Sequence, residues 1–206
     1  MSGIMGITSK ARHVVRHTIA SIIPFDQLEH EHKEDVLAWI GSGVQIFRIE
    51  KPDKPDKHLV SYFVLYDETQ NLIMLIDHAK AKLWLPPGGH VDIDEDPRVT
   101  VVREAKEELA IDAEFLPQFG DKPVFVTVTT TIGYGNHTDV SLWYVIRGDS
   151  SDDLWYDSRE MGGYKWLSPE EILAADGSQF DPHMQRFVRK IVEAKQPEWR
   201  NGSKNE

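Results

Sequence analysis

The sequence predicts a mixed α/β domain preceded by a helical extension, and three observations lead there. Strand-length apolar runs at 58–66, 71–77, 124–132, 140–147 and 164–167 alternate with helix-start signals. Those signals are Asp96-Pro97, Ser168-Pro169 and Asp181-Pro182, each a capping side chain followed by a proline suited to the first helical turn. Between extension and domain runs Lys51-Pro-Asp-Lys-Pro-Asp-Lys57. Its two prolines and alternating charges fit neither a helix nor a central strand.

The elements follow in order. Val14, Ile19, Ile22 and Ile23 sit at mixed helical spacings, and Arg16 and His17 interrupt them. That is a short amphipathic helix, not a signal peptide or a membrane span. Val44–Ile49 reads as a strand ending the extension. Asp67-Glu-Thr-Gln70 reads as a hairpin turn between the first two runs. A helix is expected over about 97–109, then two strands around a Gly133-Tyr-Gly-Asn136 turn, and a short strand at 164–167. Helices open at Ser168-Pro169 and at Asp181-Pro182, the last running to about Lys195. The chain thus divides into a helical extension (1–55), an α/β domain (56–197) and a polar tail (198–206).

Composition narrows the function. The 206 residues are 40% hydrophobic, enough for one core, and carry a formal charge of −11. That charge argues against nucleic-acid or anionic-membrane partners, which need basic patches. There is no cysteine, so disulfides, thiolate metal sites and a cysteine nucleophile are excluded, and a cytoplasmic location is expected. A chain this acidic that handles a polyanion must recruit positive charge, and a metal ion is the usual source.

The informative stretch is Gly88–Ile111, a glycine loop leading into a helix. At 100° per residue Glu104, Glu107 and Glu108 fall within an arc of about 100°. Val99, Val102, Ala105 and Leu109 fall on the opposite side and are expected to pack on the sheet, with Arg98 and Lys106 snorkelling beside them. Three carboxylates so close can be an ordinary solvated face, at a cost of a few tenths of a kcal/mol per like-charged pair. They can also hold a hard divalent cation, since Mg²⁺ and Mn²⁺ take oxygen ligands. The two glycines upstream favour the cation, because they allow close backbone approach.

Gly89, Glu95, Arg103, Glu104, Ala105, Glu107, Glu108 and Ile111 resemble, at the required spacing, the box of the Nudix hydrolase family, and Trp84-Leu-Pro-Pro-Gly-Gly89 resembles its lead-in. The one departure is Ala110, where the family has glycine. A positive φ there would cost alanine about 1–2 kcal/mol. The box covers about a tenth of the chain, and the first 55 residues lie outside the resemblance.

The resemblance implies an α/β/α sandwich with a mixed sheet, and hydrolysis of a diphosphate linkage in a nucleoside diphosphate derivative or a nucleoside triphosphate. It implies Mg²⁺ or Mn²⁺ held by Glu104, Glu107, Glu108 and the Gly88 carbonyl, with Glu95 pairing Arg103 and Arg103 orienting the helix. The general base is either Glu104 or an acid of a later loop. Asp152, Asp153, Asp157 and Glu160 are the candidates, and Glu160 is first. Trp84, Tyr134, His137 and Lys82 are candidate contacts to a small nucleotide-type substrate, although core packing, turn or surface roles suit them as well. Lys80 is a weaker phosphate candidate, and His30 and His32 read as helix surface. Subfamily markers are not evident. The stretch 77–83 lacks the coenzyme A pattern, Thr127 stands where ADP-ribose enzymes have proline, and Val128 and Thr129 where dinucleoside polyphosphate enzymes have tyrosine.

Two other readings compete. A Nudix-fold binding module without catalysis is disfavoured because every acid of the box is present. An isomerase of the same fold needs a cysteine. The N-terminal helices are expected either to cap the sheet or to pair two subunits, as members of the family are often homodimers.

Overall fold

The computed structural model describes residues 2–51, 53–131 and 137–194. The expected turn at 133–136, with Tyr134, and the tail lie outside the described residues. The mixed α/β expectation holds: a seven-stranded sheet carries helices on both faces. Helices α1 (Ser2–Ala20) and α2 (Gln27–Gly41) precede strands β1 (Lys57–Asp67), β2 (Leu72–His78), β3 (Trp84–Leu85) and β4 (Gly88–His90). Helix α3 (Pro97–Leu109) follows, then β5 (Phe125–Thr130), β6 (Thr138–Arg147), β7 (Met161–Leu167), α4 (Pro169–Ala174) and α5 (Met184–Ala194).

The central strand is β1. It runs parallel to β6 along one edge, from Lys57 opposite Thr138 to Tyr66 opposite Arg147. Its other edge is divided. Antiparallel β2 takes Tyr66 and Asp67, across the expected hairpin turn, while antiparallel β4 takes Val60–Tyr62. Where the two diverge, the Phe63 amide donates to Pro87 O at 3.0 Å. This fork delivers the Gly88-Gly89 pair to the middle of the sheet.

Alternation along β1 builds two cores. Leu59, Phe63 and Leu65 join one with Val15, Ile19, Val36, Val101 and Ala105 from α1, α2 and α3. Val64 and Tyr66 join the other with Ile172 of α4 and Phe187, Val188 and Ile191 of α5. Burying each large apolar side chain contributes about 1.5–3 kcal/mol.

The extension caps the sheet. Strand β5 is an edge, and the outward amides of Val126 and Val128 donate to Glu29 Oε1 and His32 Nδ1 of α2, each at 3.3 Å. Glu29 is buried and bridges to Lys190 Nζ of α5 at 2.7 Å. His32, expected on a helix surface, is instead part of this edge cap.

Two expected elements also differ. Val44–Ile49 is not a strand, because Gln45 Oε1 accepts the amides of Ile46 and Phe47. Those two successive residues are both buried, which a one-sided strand cannot provide. The closing helix also starts later than Pro182: Asp181 Oδ1 accepts from the His183 amide, and α5 begins at Met184. Among the described residues no helix is long and apolar enough to cross a membrane.

Candidate functional site

The glycine loop and α3 are locally determined. Asp96 caps the helix by accepting the Arg98 amide, and Pro97 fills the first turn. Ala110 closes it in the left-handed region at φ 56°, the conformation for which the box places a glycine.

The rotation of α3 differs from the helical-wheel expectation. Val99 and Val102 are 46% and 44% exposed, whereas Thr100, Val101, Ala105, Glu108 and Leu109 are buried. The acids therefore do not line a solvated face together. Glu108 is 5% exposed, and Glu104 is also mostly covered. Glu107 stays on the rim with its side chain 60% exposed. Arg98 and Lys106 are exposed and do not snorkel; each faces a surface acid, Asp121 and Asp112 respectively.

Glu108 and Glu104 meet the glycine pair. The Gly88 amide donates to Glu108 Oε2 at 3.0 Å. A Cβ on Gly89 would lie 2.1 Å from Glu104 Oε1, and one on Gly88 would lie 2.2 Å from the Ser61 carbonyl oxygen. Neither glycine leaves room for a side chain, so both carboxylates rest against bare backbone.

Arg103 ties the loop to the helix. Its Nη2 donates to Glu95 Oε2 at 3.2 Å and to the His90 carbonyl at 3.1 Å, while Nη1 reaches Glu104 Oε1 at 2.6 Å and Glu107 Oε2 at 3.4 Å. Thr100 Oγ1 and the Asp92 amide complete Glu95. Burial pushes the Glu95 carboxyl up, but the hydrogen bonds from Arg103, Thr100 and Asp92 outweigh it and leave it below the ordinary value.

The two inner acids behave the opposite way. Burial first, then repulsion from Glu104, Glu160 and Asp157, pushes Glu108 up to about 9, against the Gly88 hydrogen bond. Burial also raises Glu104, despite Arg103. Such like-charged oxygens in a covered pocket are a poor arrangement for the bare chain and a suitable one for a hard cation.

The later loop reaches the same place. The Asp157 amide donates to the Glu108 carbonyl at 3.0 Å, which anchors 157–160 on the end of α3. Asp157 itself is engaged by Arg159, whose hydrogen bonds hold it down at about 2. The charge of exposed Glu160 is felt by both Glu104 and Glu108. Asp152 and Asp153 are exposed.

The remaining candidates separate. Trp84, half-buried, carries Lys165 Nζ 3.9 Å from its ring centroid. Lys82 is exposed in a turn at φ 56°, and Lys80 is exposed beside it. His137 joins His58, His90, Asp53 and Asp139 at the start of β1 and β6. Sequence reasoning missed that cluster, together with Asp92, Thr100, Arg159 and Lys165. Only strand register brings residues 58, 90 and 137 together.

Comparison with known proteins places the fold in a family. The NUDIX domain model matches residues 56–188. A relative described as "Nudix hydrolase 26, chloroplastic" from Arabidopsis thaliana is 30% identical over 104 residues, 44% of this chain and 48% of the relative. The chain thus matches about half the length of that relative. An Ap4A hydrolase binary complex from C. elegans superposes with a TM-score of 0.51 at 22% identity, covering 66% of this chain and 95% of that one. The MutT protein from Methanosarcina mazei Go1 gives 0.50 at 21% identity over 67% and 95% of the two chains. The E. coli dihydroneopterin triphosphate pyrophosphohydrolase gives 0.50 at 14% identity over 72% and 99%. With a family model spanning the whole sheet and a glycine loop, glutamate helix and arginine clamp joined in one site, the chain belongs to the NUDIX domain family.

Proposed function

We propose that this chain is a metal-dependent hydrolase that cleaves the diphosphate linkage of a nucleoside diphosphate derivative or a nucleoside triphosphate by water attack on phosphorus. One observation carries the reading: Glu104 and Glu108 turn their carboxylates into one covered place beside Gly88 and Gly89. Family membership and the hydrolase relative support it.

The donor set is all oxygen and overloaded with negative charge, which fits Mg²⁺ or Mn²⁺. Glu104, Glu108 and rim Glu107 would hold the ion with the Gly88 carbonyl. When bound, the ion supplies charge neutralisation of the phosphates and a bound water of lowered pKa. Arg103 is a positioning residue that fixes Glu104 through its own bond to Glu95. Glu160, on the loop pinned to α3 by Asp157, is suited to accept the proton of the attacking water. Trp84 offers a ring for a nucleobase and Lys165 above it a positive charge for phosphate; His137 instead stands with His58, His90 and Asp53. Lys82, turned to solvent, has little support as a contact.

The test is a panel of nucleoside diphosphate derivatives and triphosphates with Mg²⁺ or Mn²⁺, scored by the products formed. Glu108→Gln is expected to lower kcat by about 10²–10³-fold with the fold retained by circular dichroism. Unchanged turnover would contradict the assignment. A ligand-induced rise in melting temperature with no product would favour the binding module instead.

A further inference from the structure

A second cluster of metal-ligating side chains lies outside the glutamate site. His58 stands at the start of β1, His90 at the end of β4, His137 just before β6, and Asp53 in the segment joining the extension to the domain. One ligand atom from each lies within 4.8 Å of the others. The rings gather around His58, with centroids 4.8 Å away for His90 and 5.2 Å for His137. Asp139 joins them, its Oδ1 3.3 Å from Nε2 of both His58 and His137.

Three features mark this as more than a polar patch. The His58 side chain is 0% exposed, and its Nδ1 is 2.7 Å from the Pro55 carbonyl. A carbonyl only accepts, so Nδ1 carries the hydrogen, and Nε2, which faces Asp139 Oδ1, is the nitrogen left to bind an ion. This is the arrangement by which an outer hydrogen bond orients a metal-binding imidazole. Next, His58 Nε2 and Asp139 Oδ1 are buried and face each other at 3.3 Å without an aligned hydrogen bond among the described residues, so an ion seated there replaces a poor contact. Last, Asp53 and Asp139 bring two carboxylates to the cluster, and among the described residues Arg48 stands beside them, its Nη1 3.3 Å from His90 Nε2 and 3.9 Å from Asp53 Oδ1. A divalent cation that displaces any imidazole protons therefore meets two carboxylates.

We infer that Asp53, His58, His90 and His137 form a binding site for a divalent transition-metal ion of the Zn²⁺ class, separate from the glutamate site. Three imidazoles and one carboxylate are the donor set of a four-coordinate Zn²⁺ centre, whereas the glutamates offer only the hard oxygens that suit Mg²⁺ or Mn²⁺. Zn–N bonds of about 2.0–2.1 Å require ligand atoms about 3.3–3.5 Å apart, so the side chains close in slightly and Arg48 yields its contact with His90. The ion links three stretches distant in sequence, 53–58, 90 and 137. It also abuts the first site, because His90 directly follows Gly89 and its carbonyl accepts from Arg103.

The test is Zn²⁺ binding to the full chain stripped of metal, by equilibrium dialysis, with Co²⁺ as a visible-absorbing substitute. Wild type is expected to retain Zn²⁺, with binding weakened by about 10–100-fold or more in His58→Asn and in the less buried His137→Gln. Glu104→Gln with Glu108→Gln leaves Zn²⁺ binding unchanged. Should a histidine variant fail to fold, ring-proton NMR of the wild type decides: Zn²⁺ shifts the signals of His58, His90 and His137 and leaves His30 in place. Absence of Zn²⁺ binding overturns the inference, as does binding that follows the glutamates and ignores the histidines. Because the readout is metal binding and not hydrolysis, it stands apart from the test of the proposed activity.

Discussion

At the scale of single residues, the glycine pair separates structure from chemistry. Gly88 has φ 150°, and a Cβ there would strike backbone, the Ser61 carbonyl. At Gly89 the obstacle is the end of a side chain, Glu104, which can move. Gly88→Ala is therefore expected to lower the melting temperature, while Gly89→Ala keeps it near wild type but displaces Glu104 and weakens Mn²⁺ binding by about 10–100-fold. Thermal unfolding and a metal titration on both variants check this; equal behaviour of the two would refute it. Helical spacing grouped the three glutamates beside the glycines, and the resemblance to the box singled out Gly89, Glu95 and Arg103, because the box is local in sequence. Of the partners of Glu95, Arg103 is the one the resemblance implies, whereas Thr100 and the Asp92 amide were not legible. Thr100 reads as an ordinary helical residue until its hydroxyl is seen 2.7 Å from Glu95 Oε2.

At the scale of elements, starts and stops were easier to read than faces. The cap at Asp96, the cap at Ser168 with Glu171 closing the box, and the hairpin turn at 68–71 all follow from side chains adjacent in sequence. The rotation of α3 does not. Its wheel places valines inward, yet Val99 and Val102 face out because Glu108 occupies the buried side next to Gly88. Local rules fail here because a buried acid is placed against hydrophobic pattern, as happens at functional sites. Helix α2 is a similar case. Glu29 serves an edge-strand amide and a buried lysine at once, a role no local spacing marks. Removing it unpairs the Val126 amide and strips the buried Lys190 ammonium of its carboxylate, leaving it the Ile23 carbonyl, so Glu29→Ala is expected to cost about 3–5 kcal/mol, measured by denaturant unfolding. A loss within ~0.5 kcal/mol would mean that solvent reaches the pair.

At the scale of the whole molecule, negative charge, metal and stability are linked. The Glu108 carboxyl is pushed from its ordinary 4.5 up to about 9 in the metal-free fold. The folded chain thus keeps a proton that the unfolded chain releases between those values. This group's contribution to stability therefore declines as pH rises from about 4.5 to about 9. A cation needs the carboxylate and displaces that proton, so its binding strengthens with pH. Melting in chelator and with Mg²⁺ or Mn²⁺ is expected to show a larger metal-induced rise at about pH 8 than at about pH 6, and the difference is expected to vanish in Glu108→Gln. Equal increments at both values would exclude Glu108 as a ligand. The histidine cluster also belongs to this scale. No spacing rule joins positions 53, 58, 90 and 137; the parallel pairing of β1 with β6 and the seating of β4 on β1 do so.

The most direct measurement is a Mn²⁺ titration of the wild type and of Glu108→Gln, followed by the disappearance of the free-ion paramagnetic resonance signal. If Glu104, Glu107 and Glu108 hold the ion beside the two glycines, the wild type sequesters Mn²⁺ and the variant binds it about 10–100-fold more weakly while remaining folded. Equal sequestration by both proteins would contradict the account.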